Sequence, residues 1–177
     1  MTRITFLTVT LAASLMLGAC SNRSIGNKID DQFLDPDVSS AISEAAPDLS
    51  SPTSHIVTSS YNGVILIAGQ TPRADLKERA GQAARSVQGV IKVHNELQIM
   101  EPTSLIVRSN DALLTSKVKT LMLADASVPS SRIKVITENG VVFMLGIVTR
   151  QEAASATSVV ENAAGVQKIV RLFEYSN

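Results

Sequence analysis

The stretch Thr137-Glu138-Asn139-Gly140-Val141-Val142-Phe143-Met144-Leu145-Gly146 decides the fold. Apolar-rich runs at residues 133–138 and 141–147 flank Asn139-Gly140. Asn-Gly between two such runs marks a β-hairpin, because both residues tolerate positive φ and the resulting turn matches the twist of the strands. The pattern occurs a second time, 77 residues earlier. There Asn62-Gly63-Val64-Ile65-Leu66-Ile67-Ala68-Gly69 supplies the turn and second strand, and residues 56–61 the first. Arg73 and Asp75 stand opposite Arg150 and Glu152 at the same offset. Gly89-Val90-Ile91-Lys92-Val93 matches Gly165-Val166-Gln167-Lys168-Ile169 at an offset of 76, as expected for a loop that differs by one residue.

Working outward, a helix precedes each hairpin. Asp35-Pro36 suits the start of the first, with Asp as cap and Pro in the opening turn; Val38, Ile42 and Ala45 then share a face. In the second copy Ser109-Asn110-Asp111 offers the cap, and Leu114, Val118 and Leu121 the stripe. A second helix follows each hairpin, with Leu76, Ala80, Ala83 and Val87 on one face in the first copy and Ala153, Ala156, Val160 and Ala163 in the second. Gly89 and Gly165 end these helices, and last strands run over residues 91–99 and 168–175. Each unit therefore reads αββαβ, an α+β fold with two helices on one face of a three-stranded sheet. A lone core of that size is small, so the two copies are expected to pack on one another.

The N-terminus is of another kind. Arg3 opens it, residues 4–16 are largely apolar, and Leu17-Gly18-Ala19-Cys20 follows. The run is too short to span a bilayer and fits a secretory signal. Leu-Gly-Ala-Cys resembles the bacterial lipobox, which implies that Cys20 carries diacylglycerol and becomes the mature N-terminus. An ordinary signal peptide with a chance cysteine is the alternative. Ser21, where inner-membrane lipoproteins often carry Asp, leans by the same resemblance to the outer membrane. The expected divisions are a signal peptide at 1–19, a lipidated polar tether at 20–34, and units at 35–101 and 102–177.

Two αββαβ units behind a lipobox, carrying the residues 137–150 and 109–111, resemble BON domains as found in dual-BON outer-membrane lipoproteins of the DolP type. The resemblance implies a non-enzymatic role in outer-membrane integrity, domains facing the periplasm, links to cell division and to the β-barrel assembly machinery, and a second BON unit that binds anionic phospholipid such as phosphatidylglycerol, chiefly through its first helix. It also implies that a Trp can occupy the position of Leu113; Leu lacks that amphipathic ring.

The residues lend this support. Residues 29–72 hold six acids and no Lys or Arg, a surface that anionic headgroups repel. Residues 103–134 hold Arg108, Lys117, Lys119, Arg132 and Lys134 against only Asp111 and Asp125. On a wheel centred on the apolar stripe, Leu113 falls about 120° and Leu123 about 160° away, with Met122 at the boundary. Leu113, Lys117, Lys119, Thr120 and Leu123 are the candidate lipid-binding residues. Two readings stand: these leucines meet a membrane, or they bury against the first copy while the lysines are a solvated face. A protein adaptor using the same surface, or the acidic face of the first copy, is the alternative function.

Other chemistry finds little footing. Lys+Arg and Asp+Glu are both 16, aromatics are 3% and Trp is absent, which disfavours nucleic acid. His55 and His94 lack Cys or carboxylate at ligand spacing, so no metal or cofactor is expected. No Gly-x-Ser-x-Gly elbow or phosphate-binding loop occurs. Asp75 and Glu152, at equivalent helix starts, read as first-turn acids favoured by the helix dipole.

Overall fold

The computed structural model describes residues 25–176, with side chains described from Leu34 onward. The signal segment and Cys20 lie outside the described residues. The first unit comprises α1 (Ile25–Ala45), β1 (His55–Tyr61), β2 (Val64–Thr71), α2 (Ala74–Ser86), β3 (Lys92–Asn95) and β4 (Gln98–Ile99). The second comprises α3 (Leu105–Ala124), β5 (Ile133–Glu138), β6 (Val141–Val148), α4 (Arg150–Glu161) and β7 (Lys168–Tyr175). The α+β architecture expected from the two hairpins is present in both.

Both Asn-Gly turns have the expected left-handed backbone, with φ of 53° and 77° at Asn62 and Gly63 and of 50° and 71° at Asn139 and Gly140. β1 pairs antiparallel with β2, and β5 with β6. The helix that follows each hairpin returns the chain to the other side of the central strand, so β3 and β7 pair with it in parallel. Gly146 lies so close to the start of β5 that a Cβ there would stand 2.5 Å from the Arg132 carbonyl oxygen, and a Cβ on Gly69 would overlap the carbonyl of His55. The units diverge at this point. Gly69 takes φ of 112°, and the third strand, expected unbroken over residues 91–99, is interrupted between Asn95 and Gln98. Gly146 is not in the left-handed region, and β7 runs on for eight residues.

Both first helices begin earlier than their sequence signals suggested. α1 starts at Ile25, with Pro36 inside it, so the segment expected as a tether is helical for its last ten residues. Its core stripe is Leu34, Val38 and Ile42, spaced by four; that buried face outweighs the N–H lost at Pro36. α3 starts at Leu105, capped by Ser104, whose hydroxyl accepts from the Val107 N–H at 3.4 Å. Its stripe is Leu114, Val118 and Met122; Met122 is 1% exposed, whereas Leu121 stands at 37%. The helix is turned slightly from the orientation expected.

The sheets are apolar on both faces. From β6, Val142, Met144 and Val148 meet α3 and α4, and from β2, Ile65 and Ile67 meet α1 and α2. The alternate residues Val141, Phe143 and Leu145 pack against Leu66, Ala68 and Tyr61 of the other unit. The molecule is thus four layers, helix–sheet–sheet–helix. Double-sided burial makes the central strands read as continuous apolar runs rather than alternating ones. Polar contacts lace the rim of the shared face: the Tyr61 hydroxyl donates to the Arg132 carbonyl at 2.9 Å, Lys134 Nζ to the Ser60 carbonyl at 3.0 Å, and Asn139 Nδ2 to Gln98 Oε1 at 2.8 Å.

Candidate functional site

α3 lies on an outer layer, and its inward stripe leaves the opposite face uncovered. Leu113 is 70% exposed and Leu123 76%. The interface between the units is made by the sheets, so neither leucine is buried against the first copy. The early helix start adds two residues that the sequence reasoning missed: Leu105 and Ile106, 76% and 75% exposed. Ser104 two residues after Pro102 was the available signal for that start. At about 100° per residue, Ile106, Leu113 and Thr120 fall within about 40° of one another. Lys117 flanks them on one side, with Leu123 and then Lys119 on the other. The Thr120 hydroxyl donates back to the Ser116 carbonyl at 2.9 Å, and Ser116 Oγ to Ala112 at 3.0 Å. The small polar side chains on this face are therefore satisfied within the helix and make few demands on the surroundings.

The basic residues of this region separate into two groups. Arg132 pairs with Glu152, which completes a capping box with Thr149 at the start of α4 and has its pKa lowered chiefly by the Thr149 backbone N–H. Lys134 reaches Asp35 at 3.4 Å across the domain interface. Arg108 is half-buried and turned inward, with Nε shielded from solvent. That leaves Lys117 and Lys119 as the outward cations of α3, with no carboxylate within ion-pair distance among the described residues. Asp111, expected as part of a helix cap, sits nearly two turns inside the helix and is buried. Its carboxylate accepts the N–H of Asn139 at 2.8 Å and of Gly140 at 2.9 Å, so it ties the hairpin turn to α3. By contrast, the exposed side chains of α1 include Asp37, Ser39, Ser40, Ser43 and Glu44.

Each flank of α3 borders a depression. On the Lys117 side a cleft of about 520 Å³ is lined by Asn110, Leu113, Lys117, Asn139 and Gln167. On the Lys119 side an apolar groove of about 290 Å³ is lined by Met122, Leu123, Ile133 and Val135.

A separate polar cluster is enclosed between the units. His55 Nε2 lies 3.6 Å from Glu138 Oε2, with Gln70, Arg108 and Asp111 nearby. Burial, and secondarily the charge of Asp111, push the Glu138 carboxyl up to about 7; the Gln70 amide and the Arg108 charge oppose the rise. Burial, then Arg108, lowers the His55 pKa. His94 is a half-buried residue of β3, its pKa also lowered by burial. Among the described residues no group of three His, Cys, Asp or Glu could hold a metal ion, and no helix is long and apolar enough to cross a membrane.

The BON domain model matches residues 34–101 and again 110–177. The chain belongs to the BON-domain family. It is 38% identical to the "Outer membrane lipoprotein DolP" of Haemophilus influenzae, covering 89% of this chain and 80% of that protein. It is 33% identical to the "21 kDa hemolysin" of Actinobacillus pleuropneumoniae, covering 86% and 78%, and 28% identical to the "Osmotically-inducible protein Y" of Escherichia coli, covering 84% and 74%. In family terms α3 is the first helix of the second BON domain, and Asp111 links that helix to the domain's own hairpin.

Proposed function

We propose that this BON-domain protein is a non-enzymatic outer-membrane lipoprotein, anchored through Cys20 with its domains in the periplasm, whose second BON domain lays α3 on anionic phospholipid and so supports envelope integrity. The observation that carries the reading is the outward face of α3: Leu105, Ile106, Leu113 and Leu123 exposed together, with Lys117 and Lys119 on either flank. An amphipathic helix at a headgroup boundary needs this combination of apolar residues to enter the acyl region and cations to meet the phosphates. Each lysine contributes about 1 kcal/mol near an anionic surface, falling off within a Debye length. The similarity to an outer-membrane lipoprotein supports the location.

Multiple acylation of Cys20 suffices to hold the chain at a membrane, whereas one saturated chain would be marginal. The helix contact then selects the patch of membrane occupied and the way the domains face it. The test uses the chain from Asn22 onward, which contains every described helix and strand, in co-sedimentation with phosphatidylglycerol vesicles and with neutral vesicles. Preference for the anionic vesicles, lost on Leu113→Asp with Lys117→Glu, is expected. Equal sedimentation with both vesicle types, or binding indifferent to the double substitution, would sink the reading. Retention of an envelope protein by the doubly substituted chain would favour the adaptor instead.

A further inference from the structure

The cleft beside Lys117 has a counterpart in the first BON domain, and the two differ in chemistry. In the second domain the Gln167 N–H donates to the Gly140 carbonyl at 2.9 Å; in the first, the Ile91 N–H donates to Gly63 at 2.8 Å. Gln167 and Ile91 therefore occupy equivalent corners. Each lies over the turn glycine, so that a Cβ on Gly140 would meet the Gln167 side chain at 2.7 Å, and one on Gly63 would meet Ile91 at the same distance. Leu114 packs beside Gly165 as Leu34 packs beside Gly89, which aligns α3 with α1 and sets Lys117 opposite Asp37. One scaffold thus presents a cation and an amide in the second domain, and an acid and an exposed isoleucine in the first.

We infer that the cleft between α3 and the Gly140–Gln167 corner is a headgroup subsite, which takes the phosphodiester and hydroxylated end of a membrane glycerophospholipid. This rests on the membrane-binding reading above and goes beyond it by assigning a headgroup-selecting site. Lys117 Nζ spends one donor on the Ala164 carbonyl at 3.2 Å, which fixes it at the mouth of the cleft with two donors left for a phosphate. The Asn110 and Gln167 amides offer donors and acceptors to hydroxyl groups. Asp111, the acid of the lining, has both oxygens engaged by the turn N–H groups and lies buried beneath it. Exposed Leu113 forms part of the same lining. A lipid whose chains lie beside this leucine can set its headgroup in the cleft without leaving the bilayer.

Diffuse attraction reads charge alone, whereas a subsite of this kind separates phosphatidylglycerol from phosphatidylserine at equal anionic fraction. The chain from Asn22 onward is titrated with vesicles of each composition. The unaltered chain is expected to favour phosphatidylglycerol. Gln167→Ile installs the residue that the first domain carries at the same corner and leaves the charge unchanged. It should weaken phosphatidylglycerol binding by about three- to tenfold, the worth of one neutral hydrogen bond, and leave phosphatidylserine binding as it was. Asn110→Leu should act likewise, and Lys117→Asp should weaken both. Equal binding of the two lipids by the unaltered chain, or an undiminished preference in both neutral variants, overturns the subsite while membrane binding stands. Absence of any anionic preference in the unaltered chain removes both proposals.

Discussion

Glu138→Gln should stabilise this protein, and do so only above mildly acidic pH. Glu138 is enclosed between the two units at 9% exposure, with its carboxyl raised from an ordinary 4.5 to about 7. A raised folded-state pKa means that folding favours the protonated carboxyl. That contribution is complete below the unfolded value near 4.5 and is lost as pH rises through 7. A difference of this size is worth about 3 kcal/mol at pH 8, about 1 kcal/mol at pH 5.5, and well under about 1 kcal/mol at pH 4.5. Glutamine keeps the shape of the protonated acid and removes the charge. Its advantage over the parent should therefore follow that curve. His55, whose pKa is lowered by burial, contributes stability that is lost as pH falls. Because its Nε2 stands 3.6 Å from Glu138, the same comparison is repeated in a His55→Gln background, which separates its titration from that of Glu138. Urea unfolding of the chain from Asn22 at several pH values between 4.5 and 8 gives the difference directly. A variant less stable than the parent at pH 8, or a difference that does not change with pH, would show that the charged carboxylate is welcome where it sits.

Three further substitutions probe the scaffold under α3. Asp111→Ala leaves the Asn139 and Gly140 N–H groups without their acceptor and should cost about 2–3 kcal/mol, read as a lower urea midpoint. Gly146→Ala drives a Cβ into the Arg132 carbonyl and should cost about 2 kcal/mol or more in the same measurement, because the obstacle is backbone rather than a movable side chain. Thr149→Ala removes half of the capping box of α4 and should cost about 1 kcal/mol, with thermal unfolding shifted down by a few degrees.

The hairpins, the repeat and the order of elements were legible because they depend on short-range chemistry: positive φ at Asn-Gly, close backbone approach at Gly69 and Gly146, and small residues on α2 and α4. That Leu113 and Leu123 lie off the core stripe of α3 was legible too, since it follows from helical periodicity; that their face is uncovered was not, because it depends on the sheets making the interface between the units. What the sequence concealed was how residues are spent across the fold. Arg108, Arg132 and Lys134 look like surface cations in a one-dimensional count, yet one is turned inward, one pairs with Glu152 and one with Asp35. Asp111 has the spacing of a helix cap, but its partners are 28 and 29 residues away. Met122 and Leu121 differ by one position, and only the way α3 seats on the sheet chooses between them. The enclosure of Glu138 depends on which faces the two sheets turn to each other, a relation no periodicity records.

The shared sheet face makes each repeat the other's solvent shield. Among the described residues no helix covers Tyr61, Leu66 and Ala68 on one side or Val141, Phe143 and Leu145 on the other; they cover each other. A separated repeat would show water a flat apolar sheet, a surface prone to self-association. Duplication here is thus a condition of solubility rather than a doubling of function. With burial provided jointly, the outer helices are released from identical duties: one can remain acidic while the other becomes apolar and basic, and neither change disturbs the common interior.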